Sequence, residues 1–175
     1  MFDVKNIKAS LKIQPILLST VVEFLLEKNI SVKSSNNFVI FHNVFTFVIF
    51  KTNSKEVNHI NITKVKSWKD LDESVEHLKN LLNPLVCVKR LNVDNITATH
   101  NFKRSLNLKS IADRLNRDEV KISFNKEKFP GMFIHFSKGT VILFNSGKSV
   151  CVGCNNNSLL EKNFDFVNNC IQDNS

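Results

Sequence analysis

The sequence predicts an α+β fold made of two like halves, each running strand, helix, four strands, helix. Three observations lead there. Apolar residues recur with helical spacing in four places, apolar runs of strand length fill the stretches between them, and the whole pattern repeats. VKNIKAS and VDNITAT put Asn95 89 positions after Asn6. The stripe of the first helix returns 90 positions later, from Leu18 to Leu108, and that of the second 89 positions later, from Leu71 to Leu160. TFVIF returns as TVILF after 94 positions. These matches keep one order, which argues for duplication, with halves at 1–88 and 89–175. Two like halves most simply share one antiparallel sheet with the helices on one of its faces. The other face is then bare, and a bare apolar sheet face is a binding surface by default.

The first half opens with a strand over Val4–Leu11. Pro15 is placed to open a helix, where a missing N–H costs nothing, and Leu18, Val21, Val22 and Leu25 give that helix its apolar stripe. Strands follow near Ile30–Lys33, Phe38–His42, Phe45–Lys51 and, after Asn53-Ser54-Lys55, Val57–Val65. Ser67 caps the second helix with Asp70 three residues on. Leu71, Val75, Leu78 and Leu82 are its buried face, and Asn83-Pro84 stops it.

The second half repeats this. Val93–Thr99 is a strand, and Asn107 or Ser105 caps a helix that buries Leu108, Ile111, Ala112 and Leu115. Strands run from Val120 onward. Phe129-Pro-Gly leads into Met132–Phe136, Lys138-Gly139 turns into Thr140–Phe144, and Asn145-Ser-Gly-Lys148 turns into Ser149–Val152. Asn157 or Ser158 caps the last helix, with Leu160, Phe164, Val167 and Ile171 inward. Strand alternation puts Val141 and Leu143 on one face, and Thr140, Ile142 and Phe144 on the other. Val150 and Val152 share a face opposite Cys151.

The formal net charge of +8 suits an anionic partner, nucleic acid first. The aromatic usage of fifteen Phe, one Trp and no Tyr, with abundant Asn, Lys and Ile, fits an AT-rich genome, such as that of a large DNA virus or a fast-evolving eukaryote, and discounts part of the lysine signal. No signal peptide or membrane-length apolar run is visible, so no membrane partner is expected and the cysteines are expected as thiols. Cys151-Val-Gly-Cys154 has the spacing of a metal or redox pair, but residues i and i+3 of a regular strand face opposite sides, so neither role is expected. No Ser/His/Asp set, paired carboxylate or P-loop is present; no enzyme and no cofactor are expected.

FPGMFIHF followed by VILFNSGKSVCVG, preceded by SLNLKSIADRLN, resembles the TATA-box-binding protein family, as does the two-repeat plan. The resemblance implies a saddle of two β-α-β-β-β-β-α pseudo-repeats forming one curved antiparallel sheet with the helices on its convex face. The concave face would sit in the minor groove of AT-rich promoter DNA and bend it, the family being a standard case of minor-groove wedging. Phe129 and Phe144 match one pair of wedge phenylalanines, and Phe38 and Phe50 are candidates for the other. Asn95 and its repeat partner Asn6 match the asparagines that donate to minor-groove acceptors. Ile142, Val150 and Val152 would form an apolar floor that leaves a guanine amine unpaired. Val152 stands where the family has Thr, Thr97 where it has Val, and His135 where it tends to carry Arg; Lys148 is placed to meet phosphate. The turn Asn125, Lys126, Glu127, Lys128 replaces an acidic, apolar stirrup that grips the next initiation factor, and only Glu127 keeps the acid. The implied partners are double-stranded AT-rich DNA and a factor-B-like initiation factor or RNA polymerase, in the nucleus or a cytoplasmic viral factory. The rival expectations are a module of this fold that assembles with proteins and no longer bends DNA, and a substrate-binding appendage of a nucleic-acid enzyme.

Overall fold

A computed structural model of the chain describes residues 2–115 and 120–172. It divides into two compact units, an N-terminal one of Asn6–Asp94 and a C-terminal one of Met1–Lys5 with Asn95–Ser175.

The N-terminal unit holds β1 (Asp3–Leu17, its first residues lying in the other unit), α1 (Leu18–Glu27), β2 (Val32–Ser34), β3 (Phe38–His42), β4 (Thr46–Phe50), β5 (Glu56–Val65) and α2 (Trp68–Leu82), with strand order β2-β3-β4-β5-β1. Every resolved pairing is antiparallel. Ile7, Ala9, Leu11, Phe41, Phe47, Ile49, Ile60 and Ile62 alternate onto one sheet face and are fully buried. Leu71, Val75, Leu78 and Leu82 of α2 supply a buried helix stripe, as the spacing predicted, and of the four stripe residues of α1 Val21 and Leu25 are buried while Leu18 and Val22 are half-buried. Ser67 Oγ accepts from Asp70 N at 3.0 Å, which caps α2.

Pro15 corrects one expectation. It does not open α1; it lies inside β1, which runs on to Leu17. The β1–β5 pairing is irregular between Lys12 and Ile16. A proline costs no ladder hydrogen bond at such a break, and Ile13 two residues before it is buried, so the strand continues.

The C-terminal unit holds β6 (Val88–Asn101, entering from the first unit), α3 (Leu108–Arg114), β7 (Lys121–Ser123), β8 (Gly131–His135), β9 (Thr140–Phe144), β10 (Lys148–Cys154) and α4 (Asn157–Gln172), with strand order β6-β10-β9-β8-β7. Ile96, Ala98, Met132, Ile134, Val141, Leu143 and Cys151 are fully buried. Leu108 and Ile111 of α3 and Leu160, Phe164, Val167 and Ile171 of α4 complete this core. Asn107 caps α3, its Oδ1 accepting from Ser110 N at 3.2 Å. The cap of α4 is Asn156, one residue before the expected pair: its Oδ1 accepts from Leu159 N at 2.9 Å.

One device recurs in both units. Cys151 pairs with Ala98 and Cys154 with Ile96, so Val152 and Gly153 together face Thr97. Ala9 pairs with Ile62 and Ile7 with Val65, so Thr63 and Lys64 together face Lys8. Gly153 takes a φ of 87°, and Lys64 adopts the same left-handed region at 63° although it carries a side chain.

Candidate nucleic-acid interface

In each unit one sheet face is lined by half-buried and exposed residues that alternate with the core. In the C-terminal unit the cross-strand register builds the row Ser123, Phe133, Ile142, Val150, Thr99. A second row runs Lys121, His135, Thr140, Val152, the last beside Thr97 at the bulge. Ile142, Val150 and Val152, picked out from alternation, thus lie together on this bare face.

Phe129 and Phe144 close one end of the face. Phe129 sits just ahead of β8 and is 38% exposed; Phe144 ends β9 and is half-buried. Their ring centroids are 5.9 Å apart, and Phe129 lies 5.1 Å from Phe133. Gly131 pairs with Phe144 beneath the rings, and a Cβ there would meet Phe129 Cε1 at 2.7 Å and Phe144 Cε1 at 3.0 Å. The glycine leaves the space that the rings occupy. A groove of about 720 Å³ beside Phe144 is walled by Thr99, Asn101, Lys148 and Val150. Lys148 is exposed and pairs with Asn101.

Asn95 Oδ1 accepts from Gly153 N at 2.6 Å, which ties its carboxamide to the bulge. With the oxygen engaged, the two N–H donors remain for a ligand. His135 Nδ1 and Thr140 Oγ1 share a hydrogen bond at 3.1 Å. Asn125 organises the exposed turn before Phe129: its Oδ1 accepts from Glu127 N at 3.1 Å and Lys128 N at 3.3 Å, and its main-chain oxygen accepts from Phe129 N at 3.0 Å.

The N-terminal unit builds the equivalent row from Lys33, Ile40, Val48, Asn61 and Ser10. Asn6 is half-buried on β1. His42 and Thr46 repeat the bond of His135 and Thr140, with Nδ1 and Oγ1 3.0 Å apart. The two histidines therefore stand in register, and their one-residue offset in sequence reflects a β8–β9 loop one residue longer than the β3–β4 loop. Phe38 pairs directly with Phe50, the slot that Gly131 and Phe144 fill in the other unit. Phe38 is thus the counterpart of Gly131 and not of Phe129. Its ring rises from the strand itself, where Phe129 reaches the same slot from the preceding loop. Phe50 is 52% exposed.

Asn61, Phe133, Lys33 and Lys8 were missed as face residues. Alternation in INIT, MFIHF and VKNIKAS carried the signal for Asn61, Phe133 and Lys8; register with the neighbouring strand, absent from sequence, was needed for Lys33.

Cys151 and Cys154 correct the strand-geometry argument. The bulge between them turns both inward, with Sγ atoms 3.6 Å apart and both side chains buried. Asn163 Nδ2 lies 3.3 Å from Cys154 Sγ and donates to Lys138 O at 3.0 Å. Burial, then the neighbouring Cys154, pushes the Cys151 thiol up to about 12. Among the described residues no group of three or more His, Cys, Asp or Glu could hold a metal ion. No helix among them is long and apolar enough to cross a membrane.

Residues 90–174 match the family model described as transcription factor TFIID, or TATA-binding protein. The chain is 36% identical over 66 residues to the TATA-box-binding protein of Pyrobaculum calidifontis, covering 37% of this chain and 31% of that one. It is 32% identical over 109 residues to that of Methanopyrus kandleri, covering 57% of this chain and 59% of the relative. The chain thus spans from about a third to just under two thirds of these relatives' length. The solved structure of Methanococcus jannaschii TBP superposes with a TM-score of 0.77 over 98% of both chains at 19% identity, which shows the fold. The family is one of transcription factors, not enzymes. The second half of the chain thus carries the sequence pattern of the TATA-binding protein family, and nearly its whole length carries that family's α+β fold.

Proposed function

We propose that the chain is a transcription initiation factor that binds AT-rich double-stranded DNA in the minor groove through its bare sheet faces and bends it. The observation that carries this is the C-terminal face: an unbroken apolar row of Phe133, Ile142 and Val150, closed at one end by the exposed Phe129 ring beside Phe144. Water does not favour such a face, whereas a groove floor of stacked base edges does. Rigid aromatic rings at its rim are suited to enter a base step, and flexible steps such as TA open at least cost. Asn95 has donors left for the A N3 and T O2 acceptors. The net charge of +8 favours encounter with the phosphates. The turn at Asn125, Glu127 and Lys128 is the surface offered to a factor-B-like protein or polymerase.

The test is a gel-shift titration of the full chain with an AT-rich and a GC-rich duplex, with end-to-end energy transfer to read the bend. AT preference and bending are expected. Phe144→Ala should reduce the bend more than the association rate, because the lysine and arginine field that drives encounter is untouched. Binding without preference or bend would overturn the reading. It would leave a protein-assembly module, which the more polar N-terminal row, with Lys33 and Asn61 in place of Ser123 and Val150, favours.

A further inference from the structure

The two bare faces differ at one central position. Val150 sits between Ile142 and Thr99, and Asn61 occupies the same slot between Val48 and Ser10. Asn61 is half-buried, with its backbone neighbours Ile60 and Ile62 fully buried on the opposite face, so its carboxamide lies on the bare side. Its Nδ2 donates to Val48 O at 3.2 Å. A main-chain carbonyl can only accept, so the amide orientation follows, and Oδ1 is the atom left with lone pairs to offer.

In the minor groove A·T and T·A pairs show acceptors alone, while a G·C pair adds the guanine N2 amine, a donor. Over a valine that amine loses its water and gains no partner, a cost of about 1–3 kcal/mol. Over the Asn61 oxygen the amine has an acceptor. Building on the DNA-binding reading above, we infer that Asn61 is a specificity-determining residue that admits a G·C pair beneath the N-terminal face by accepting from the guanine amine, where Val150 admits A·T alone. The element recognised is then uneven: strict for A·T under one face and tolerant of G·C under the other. The residual Asn61 N–H still suits an A·T acceptor, so the position tolerates both pairs.

The test uses the full chain and a set of otherwise A·T duplexes, each with one G·C pair at a successive position, compared by equilibrium titration with the same duplexes carrying inosine·C. Inosine lacks only the N2 amine, so the exchange isolates that group. Under Val150 the inosine duplex should bind about tenfold tighter than the guanine one. At the position read by Asn61 the guanine duplex should bind as well as the inosine duplex or better. Asn61→Val should reverse the sign at that position alone, and valine suits a strand interior. Val150→Asn, the reciprocal change, should extend guanine tolerance to the other face as well. If every position prefers inosine in the wild-type chain, or if tolerance survives Asn61→Val, the inference falls while the DNA-binding reading stands. If the all-A·T duplex is not bound, both fall.

Discussion

Gly131→Ala separates the ring cluster from the stability of the fold. The φ of Gly131 lies outside the left-handed region, so alanine brings no backbone strain and the change acts through space alone. The added methyl would stand 2.7 Å from Phe129 Cε1 and 3.0 Å from both Phe144 Cε1 and Ile142 Cγ2. Ordinary contact begins near 3.4 Å, so the Phe129 ring must retreat by about 0.7 Å and the Phe144 ring by rather less. Both rings border open space, so they can swing outward and need not press into the core. Turning a ring off its rotamer well costs about 0.5–1.5 kcal/mol, and for a chain of this size about 1 kcal/mol shifts the melting temperature by roughly 2–4 °C. DNA should feel more than this. A displaced aromatic ring forfeits part of a contact worth about 1–3 kcal/mol, so affinity for an AT-rich duplex should fall about tenfold, with a smaller bend. Thermal unfolding by circular dichroism and end-to-end energy transfer read the two effects. A bend and affinity equal to wild type would refute the placement of the rings as the working edge. A melting temperature lower by more than about 10 °C would show instead that Gly131 packs a core that cannot yield.

Asn163→Leu should cost about 1–3 kcal/mol in a urea titration, because it removes the amide that the buried Asn163 donates to the Lys138 carbonyl while filling nearly the same volume. Iodoacetamide at about pH 8 should label the exposed Cys87 of the native protein and spare Cys151 and Cys154 until unfolding. Burial, then the neighbouring Cys154, holds the Cys151 thiol up to about 12 in the folded chain, above its ordinary 9.0. The folded state therefore holds the extra proton between those values, and stability should fall as pH rises from 9.0 towards about 12. Cys151→Val should flatten that decline in alkaline urea titrations.

The repeat was legible because the covered sheet face needs apolar residues at every second position in both halves, and because helix stripes are locked to that face. Ile7 and Ile96, Ala9 and Ala98, and Leu71 and Leu160 return at one spacing for this reason. What stayed hidden depended on how strands meet. Pro15 reads as a helix opener until the break opposite β5 is known. The inward turn of both Cys151 and Cys154 follows from the bulge at Gly153, and the matching bulge in the first half has Lys64 where a glycine would have announced it. Phe38 reads as the counterpart of Phe129 because each precedes an apolar run. Only pairing with Phe50 shows that it fills the place of Gly131.

The two units have kept the same covered face and diverged on the bare one. Selection for folding explains the first: Ile62 and Cys151, or Phe47 and Val141, differ in shape, yet all are fully buried. Folding alone would let the bare positions drift towards polar residues in both units, since water faces them equally. The N-terminal row keeps Ile40 and Val48 but has Lys33 and Asn61 where the C-terminal row has Ser123 and Val150, so only the C-terminal row carries three apolar residues in a run. Retained apolar surface of this kind argues that something covers it. Two like faces would allow a factor to sit on its DNA element in either direction with equal energy. Faces that differ at Asn61 and Val150 do not, and a single guanine amine satisfied in one direction and stranded in the other would bias orientation by about tenfold. An element with its G·C pair moved from one end to the other should then be bound in the reversed direction, which site-specific cleavage from a probe tethered to Cys87 would reveal.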